Sequence, residues 1–172
     1  MMSSMPKGLT AATGMDALTH AVEAYIGRST TRETRRLALE AVKLVFQNIE
    51  AAYQDGQNRE ARENMLHAAY KAGVAFSKSY VGYIHAVAHS LGGEYNVPHG
   101  LANAVLLPFV LEAYGSSIHA KLRKLAVEAG ISDKGSSDED AAKNFIQAVK
   151  DMKKRFGIGD TIREIREEDI SK

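Results

Sequence analysis

The stretch Thr31-Arg32-Glu33-Thr34-Arg35-Arg36-Leu37-Ala38-Leu39-Glu40-Ala41-Val42-Lys43-Leu44-Val45-Phe46-Gln47-Asn48-Ile49-Glu50-Ala51-Ala52-Tyr53 reads as a long amphipathic helix. Leu37, Ala41, Leu44, Val45 and Asn48 fall on one face at three- and four-residue steps, and Arg35, Arg36, Lys43 and Gln47 lie mostly elsewhere. Asp55-Gly56 ends it. Working outward, Thr10 to Tyr25 has the same character, with Gly27 as its stop, and Arg59 to about Ser79 forms another long helix through Met65, Leu66, Ala69 and Val74. Tyr83 to Leu91 is a short helix rich in alanine and histidine, expected to be buried and to close at Gly92-Gly93. Val97-Pro98 forces extended backbone ahead of His99-Gly100. Leu101 to Tyr114 resumes an apolar helix in which Pro108 is expected to kink or break the chain. Ile118 to Ala129 and Glu139 to Phe156 follow; Ala142, Phe145, Ile146, Val149 and Met152 form the inner face of the latter. Gly157 to Lys172 is charged and weakly patterned, expected to be poorly ordered or a last short helix.

The expected fold is therefore all-α, a helical bundle. At 172 residues, with 45% hydrophobic and 25% charged, the chain fits one domain over 1–172. A net charge of +1 gives no reason to expect nucleic acid or an anionic membrane as partner. No apolar run is expected to reach the length of a membrane span, and the N-terminus lacks the basic and apolar regions of a signal peptide. No cysteine is present, which excludes disulfides, thiolate catalysis and Cys-based zinc sites and agrees with a cytoplasmic location. Any metal must be held by His, Asp or Glu. No βαβ alternation and no glycine-rich phosphate loop follows a strand, so a dinucleotide site is not expected within these residues.

Three segments carry chemistry. Asp16 and His20 stand four apart, neighbours on one helix face, where a carboxylate and an imidazole can grip one cation or simply pair with each other. His85 and His89 repeat that spacing on a helix whose intervening residues are small and apolar; buried histidines need polar partners, and a metal is one solution. His99 sits between Pro98 and Gly100 on a constrained turn. Four of the six histidines thus fall within residues 16–20 and 85–99, whereas His67 and His119 lie on ordinary amphipathic stretches. Three imidazoles and one carboxylate suit Fe(II), Zn(II), Mn(II), Co(II) or Ni(II). Spacing leaves open which metal binds and which of His85 and His89 holds it.

These segments resemble the iron-containing, group III alcohol dehydrogenases. The likeness runs through Met5-Pro6, Thr13 to Glu23, Gly73 to Ser77, His85 to Gly93, Asn96 to Ala104 and Leu107-Pro108, in matching order and spacing. It implies the C-terminal helical half of a dehydroquinate synthase-like fold, with the N-terminal nucleotide-binding domain absent. It implies Asp16, His20, His85 and His99 as the metal ligands, His89 as a non-ligand residue that faces the nicotinamide and moves the proton, and Phe76 beside the cofactor. The implied activity is Fe(II)-dependent interconversion of a primary alcohol and an aldehyde with NAD or NADP, incomplete in this chain alone. A cleft-facing apolar patch would favour self-association as a homo-oligomer or a need for the missing half. Lys78, Tyr80 and Tyr83 depart from the family's common choices and are expected to reshape the substrate pocket. Other readings are a non-catalytic metal-binding module, a metal-dependent hydrolase using Glu23 or His89, and a structural bundle whose histidines are core residues.

Overall fold

The computed structural model describes residues 5–162, which hold helices and no strand. The helices are α1 (Lys7–Ile26), α2 (Arg32–Gln54), α3 (Arg59–Ser79), α4 (Tyr83–Tyr95), α5 (His99–Tyr114), a 3-10 turn (Gly115–Ile118), α6 (His119–Glu128) and α7 (Asp138–Arg155). Local chemistry sets several of these limits. The Thr31 hydroxyl accepts the Thr34 N–H while the Thr34 hydroxyl accepts the Thr31 N–H, a reciprocal cap on α2. Asn58 caps α3 through the Ala61 N–H, and Ser137 caps α7 through the Asp140 N–H. α7 also carries Asp138, Glu139 and Asp140 at its positive end and Lys153, Lys154 and Arg155 at its negative end.

α1, α2 and α3 pack on one another, and α5 lies across α1. α4 rests on α5, while α6 and α7 close the other side. The buried stripe of α2 is Ala38, Ala41, Val42, Val45, Ile49 and Ala52, and that of α3 is Ala61, Met65, Ala68, Ala72 and Ala75. The expected faces are therefore turned slightly. Leu37 and Leu44 are only partly buried, and Leu66 and Ala69 of α3 are exposed. The reason is closeness. Alanine stripes let helix axes approach where leucines would hold them apart. Gly14 of α1 belongs to the same device, since a Cβ there would lie 2.6 Å from Ile49 Cδ1. The inner face expected for the last long helix, from Ala142 to Met152, is buried as a set.

Four expectations are corrected around the later helices. α4 does not close at Gly92-Gly93 but runs through both to Tyr95, where Asn96 takes the left-handed conformation (φ 54°, ψ 28°). Interior glycine costs about 1 kcal/mol but does not by itself stop a helix; Asn96, with Pro98 two residues on, does. Nor is α4 buried all round: Ile84, His85 and Ala88 face inward while His89 is exposed. Pro108 lies inside α5, buried, and the helix continues past it to Tyr114. The stretch His99–Glu128 is, by length and composition, long and apolar enough to pass as a membrane span, contrary to the sequence expectation. Half of its apolar window is buried, and Ala102, Ala104, Leu107 and Leu111 account for its character as core side chains.

After α7 the chain turns at Gly157 (φ 71°), and Asp160 reaches back to place Oδ1 2.7 Å from the buried Lys153 Nζ. The expected terminal helix falls largely on residues 163–172, outside the described residues.

One approach positions the later functional residues. A Cβ on Gly100 would lie 2.6 Å from the Ala12 carbonyl oxygen, so the first turn of α5 touches the backbone of α1. Backbone cannot step aside as a flexible side chain can. Gly100→Ala should destabilise the fold by about 1–3 kcal/mol, the usual cost of overpacking, read as a lower denaturation midpoint. An unchanged midpoint would show that α5 does not need this contact.

Candidate metal centre

α1 is enclosed by its neighbours, with Met15, Leu18, Ala21 and Val22 fully buried. On one face it carries Asp16, His20 and Glu23, spaced by four and three residues. α4 brings His85 to that face, and the first residue of α5 brings His99. Asp16, His20, His85 and His99 each offer one ligand atom, and these four atoms all lie within 4.8 Å of one another. Asp16 Oδ1 is 3.6 Å from His85 Nε2 and 3.4 Å from His99 Nε2. Bonds of about 2.1 Å at tetrahedral angles would set neighbouring ligand atoms about 3.4 Å apart. The donor set therefore needs little movement to close on a divalent ion.

The neighbours of these residues hold them in place. Glu23, 2% exposed, lies behind His85 with Oε2 2.6 Å from Nδ1. Its carboxylate also accepts the N–H groups of Gly82 (3.0 Å) and Ile84 (2.7 Å) at the start of α4. His85 is buried, and its Nε2 has no hydrogen-bond partner. That orphan is the observation against a purely structural histidine, because buried polar atoms are normally paired. His20 is stacked between two rings, Phe76 at 4.2 Å and His85 at 4.1 Å between centroids. Asn103, fully buried on α5, donates to Asp16 Oδ1 at 2.6 Å and stands 3.1 Å from His99 Nε2.

The charges follow from this packing. Burial pushes His20 down to about 4, against the pull of the Asp16 carboxylate. Burial also works to lower His85, but the carboxylates of Asp16 and Glu23 outweigh it and raise the group to about 9. Burial tends to raise Asp16, yet His85, His20, Asn103 and His99 together hold it below the usual carboxylate range.

The structure separates the two histidines of α4. His85 joins the four-atom cluster, whereas His89 is exposed beside it, its ring stacked on His99 at 5.0 Å and edge-on to His85 at 6.1 Å. Phe76 reaches the cluster as a ring against His20. Lys78 pairs with Glu33 at 3.0 Å on the surface. Tyr80 ends α3 with a left-handed φ of 65°, and Tyr80 and Tyr83 are exposed. Glu23, considered as an acid or base for hydrolysis, instead has both oxygens engaged by donors. Sequence reasoning missed its supporting position, and missed Asn103 altogether. The signals were present: Glu23 stands seven residues after Asp16, and Asn103 four after His99, each a same-face helical spacing.

The chain is similar to known proteins over almost its whole length. The chain is 44% identical over 165 residues to 1,3-propanediol dehydrogenase of Klebsiella pneumoniae, covering 96% of this chain and 43% of that protein. It is 38% identical over 172 residues to the NAD-dependent methanol dehydrogenase of Bacillus methanolicus, covering 99% and 45%. The crystal structure of a 1,3-propanediol oxidoreductase superimposes with a TM-score of 0.93 at 43% identity, over 98% of this chain and 44% of that one. The chain thus spans less than half the length of the relatives it matches. The sequence profile described as Fe-containing alcohol dehydrogenase family, C-terminal, matches residues 10–172, and the chain belongs to that family.

Proposed function

We propose that this chain is the metal-binding part of an NAD- or NADP-dependent, Fe(II)-dependent alcohol dehydrogenase that interconverts a primary alcohol and an aldehyde in the cytoplasm. The observation that carries the proposal is the buried, unpartnered Nε2 of His85, facing a site where Asp16, His20 and His99 present three further donor atoms. Three imidazoles and one carboxylate suit Fe(II), and suit Zn(II) as well. A divalent ion held there supplies Lewis acidity toward an alcohol or carbonyl oxygen.

The chain's own residues divide the remaining work. Asp16, His20, His85 and His99 hold the ion, and Asp16 contributes the negative charge that favours a dication. Phe76 keeps the His20 ring in plane and lines the cofactor side. His89, exposed beside His99, is placed to hold or pass on a proton, as an imidazole does near neutrality. The dinucleotide is assigned to a nucleotide-binding domain outside these residues. Exposed Tyr80 and Tyr83 provide apolar surface for such a partner or for a second copy of the chain.

Three outcomes test this. Metal analysis of the purified chain should find one divalent ion, and His85→Ala and His99→Ala should each weaken its binding by at least about 100-fold, more than loss of an outer-shell partner usually costs; equal metal content in all three would remove the assignment. The chain alone should not turn over a primary alcohol with NAD or NADP, and turnover would refute the division of labour. Ligating imidazoles must give up the proton that competes with the ion. His85 keeps its proton up to about pH 9 and His20 only below about pH 4, so at pH 8 ion uptake should displace a proton from His85 and none from His20. Calorimetry in two buffers of different protonation heat reads that release, and uptake without it would show His85 neutral at pH 8 rather than held protonated by the Asp16 and Glu23 carboxylates.

A further inference from the structure

We propose that Glu23 is the positioning residue of this centre: one buried carboxylate both starts α4 and fixes the His85 tautomer that aims Nε2 at the other three ligand atoms. The inference rests on the reading of the cluster as a metal site and adds to it a residue with no contact to the ion.

Burial of Glu23 demands an explanation. It is 2% exposed, and no lysine or arginine pairs with it among the described residues. A carboxylate so enclosed needs donors around both oxygens. It finds three, all from one short stretch: the Gly82 and Ile84 N–H groups and His85 Nδ1. The two backbone donors belong to the first turn of α4, where N–H groups have no partner within the helix. Gly82, Tyr83 and Val81 offer no side-chain cap there, and Glu23 of α1 does the capping from outside. The fit is close. A Cβ on residue 82 would lie 2.7 Å from Glu23 Oε1, so a side chain there would push the carboxylate away from its donors.

The third donor gives this cap a chemical consequence. A neutral imidazole carries one proton, and the ring nitrogen that donates it leaves the other with a lone pair. With Nδ1–H directed at Glu23, the lone pair sits on Nε2. That is the atom left without a partner and 3.6 Å from Asp16 Oδ1. A carboxylate behind a ligating histidine also makes the ring a stronger donor. Because Asp16, His20 and Glu23 share one face of α1, this helix supplies two ligands and sets a third.

Two measurements test the assignment separately from the metal reading. The first uses no metal. In the 15N-labelled metal-free chain at pH 10, two-bond 1H–15N spectra should show the His85 proton on Nδ1; a proton on Nε2 would overturn the proposal. The second compares Zn(II) affinity of the wild type and Glu23→Gln by competition with a chromophoric chelator, since a neutral amide keeps the shape but not the charge. We expect Glu23→Gln to bind about 10- to 100-fold more weakly, with a changed absorption spectrum when Co(II) replaces Zn(II). A wild type that binds Zn(II) and a variant within twofold of it, with the same Co(II) spectrum, would reduce Glu23 to a helix cap and refute the inference. If Glu23→Gln fails to fold, the tautomer in the wild type decides. If the wild type takes up no Zn(II), the metal reading fails while the tautomer still decides the role of Glu23.

Discussion

A helix enclosed by its neighbours can keep two carboxylates and an imidazole on one face only if other elements bring partners to them. α1 is such a helix, and the cost of leaving those groups unsatisfied, about 1–3 kcal/mol each and more for a charge, constrains what packs beside it. α4 meets the demand with two backbone N–H groups and the His85 ring. α5 meets it with Asn103 and His99. The arrangement of the later helices is thus tied to the polar face of α1, while the alanine stripes of α2 and α3 fill its apolar sides.

The same constraint explains why the cluster is incomplete as a hydrogen-bond network. Glu23 is satisfied on every side that is visible, whereas His85 Nε2 and Asn103 Oδ1 are buried without partners. Buried polar networks usually fail at their edges, where a group meets solvent. Here the unpaired nitrogen sits at the centre, surrounded by lone-pair donors and stacked rings. Rings packed at 4.1–4.2 Å on both sides of His20 leave it little rotational freedom, so its geometry is largely set before any ligand arrives. Preorganisation of that kind lowers the ordering cost of binding. A structural core would gain nothing from it.

Much of this was legible in the sequence, because both helices and ligand pairs announce themselves through the same three- and four-residue spacing. The helix from Arg59 to Ser79 and the inner face from Ala142 to Met152 follow directly from that period. What the period does not reveal is the weight of small residues. Leu37 and Leu66 look like core by hydropathy, yet Ala38 and Ala68 take the inner positions because their size permits close packing. Gly92-Gly93 looks like a stop, but both stay helical and the left-handed turn that ends α4 falls on Asn96 instead. The Asp16–His20 and His85–His99 groupings were readable; their convergence depends on Gly100 lying against Ala12, a contact between segments 88 residues apart. Local pattern carries no record of such a distance. Asn103 and the supporting position of Glu23 escaped notice for a related reason: their spacing is ordinary, and their partners lie on other helices.

The centre is sealed unevenly, and that asymmetry bears on what it can do. Glu23 and His85 are all but inaccessible, while the His99 side chain is 41% exposed and His89 lies in the open. The closed flank provides fixed geometry; the open flank provides access. Electrostatic effects on a reacting oxygen are strong only where water is largely excluded. An ion held between these flanks would be rigidly placed but half solvated, a condition that suits capture of the ion better than chemistry on it. On the proposed function, a second surface must cover the side bearing His89 and His99, bringing the dinucleotide with it. The two tasks are then divided in space: holding the ion falls to residues buried within this chain, and drying the site falls to whatever closes over it.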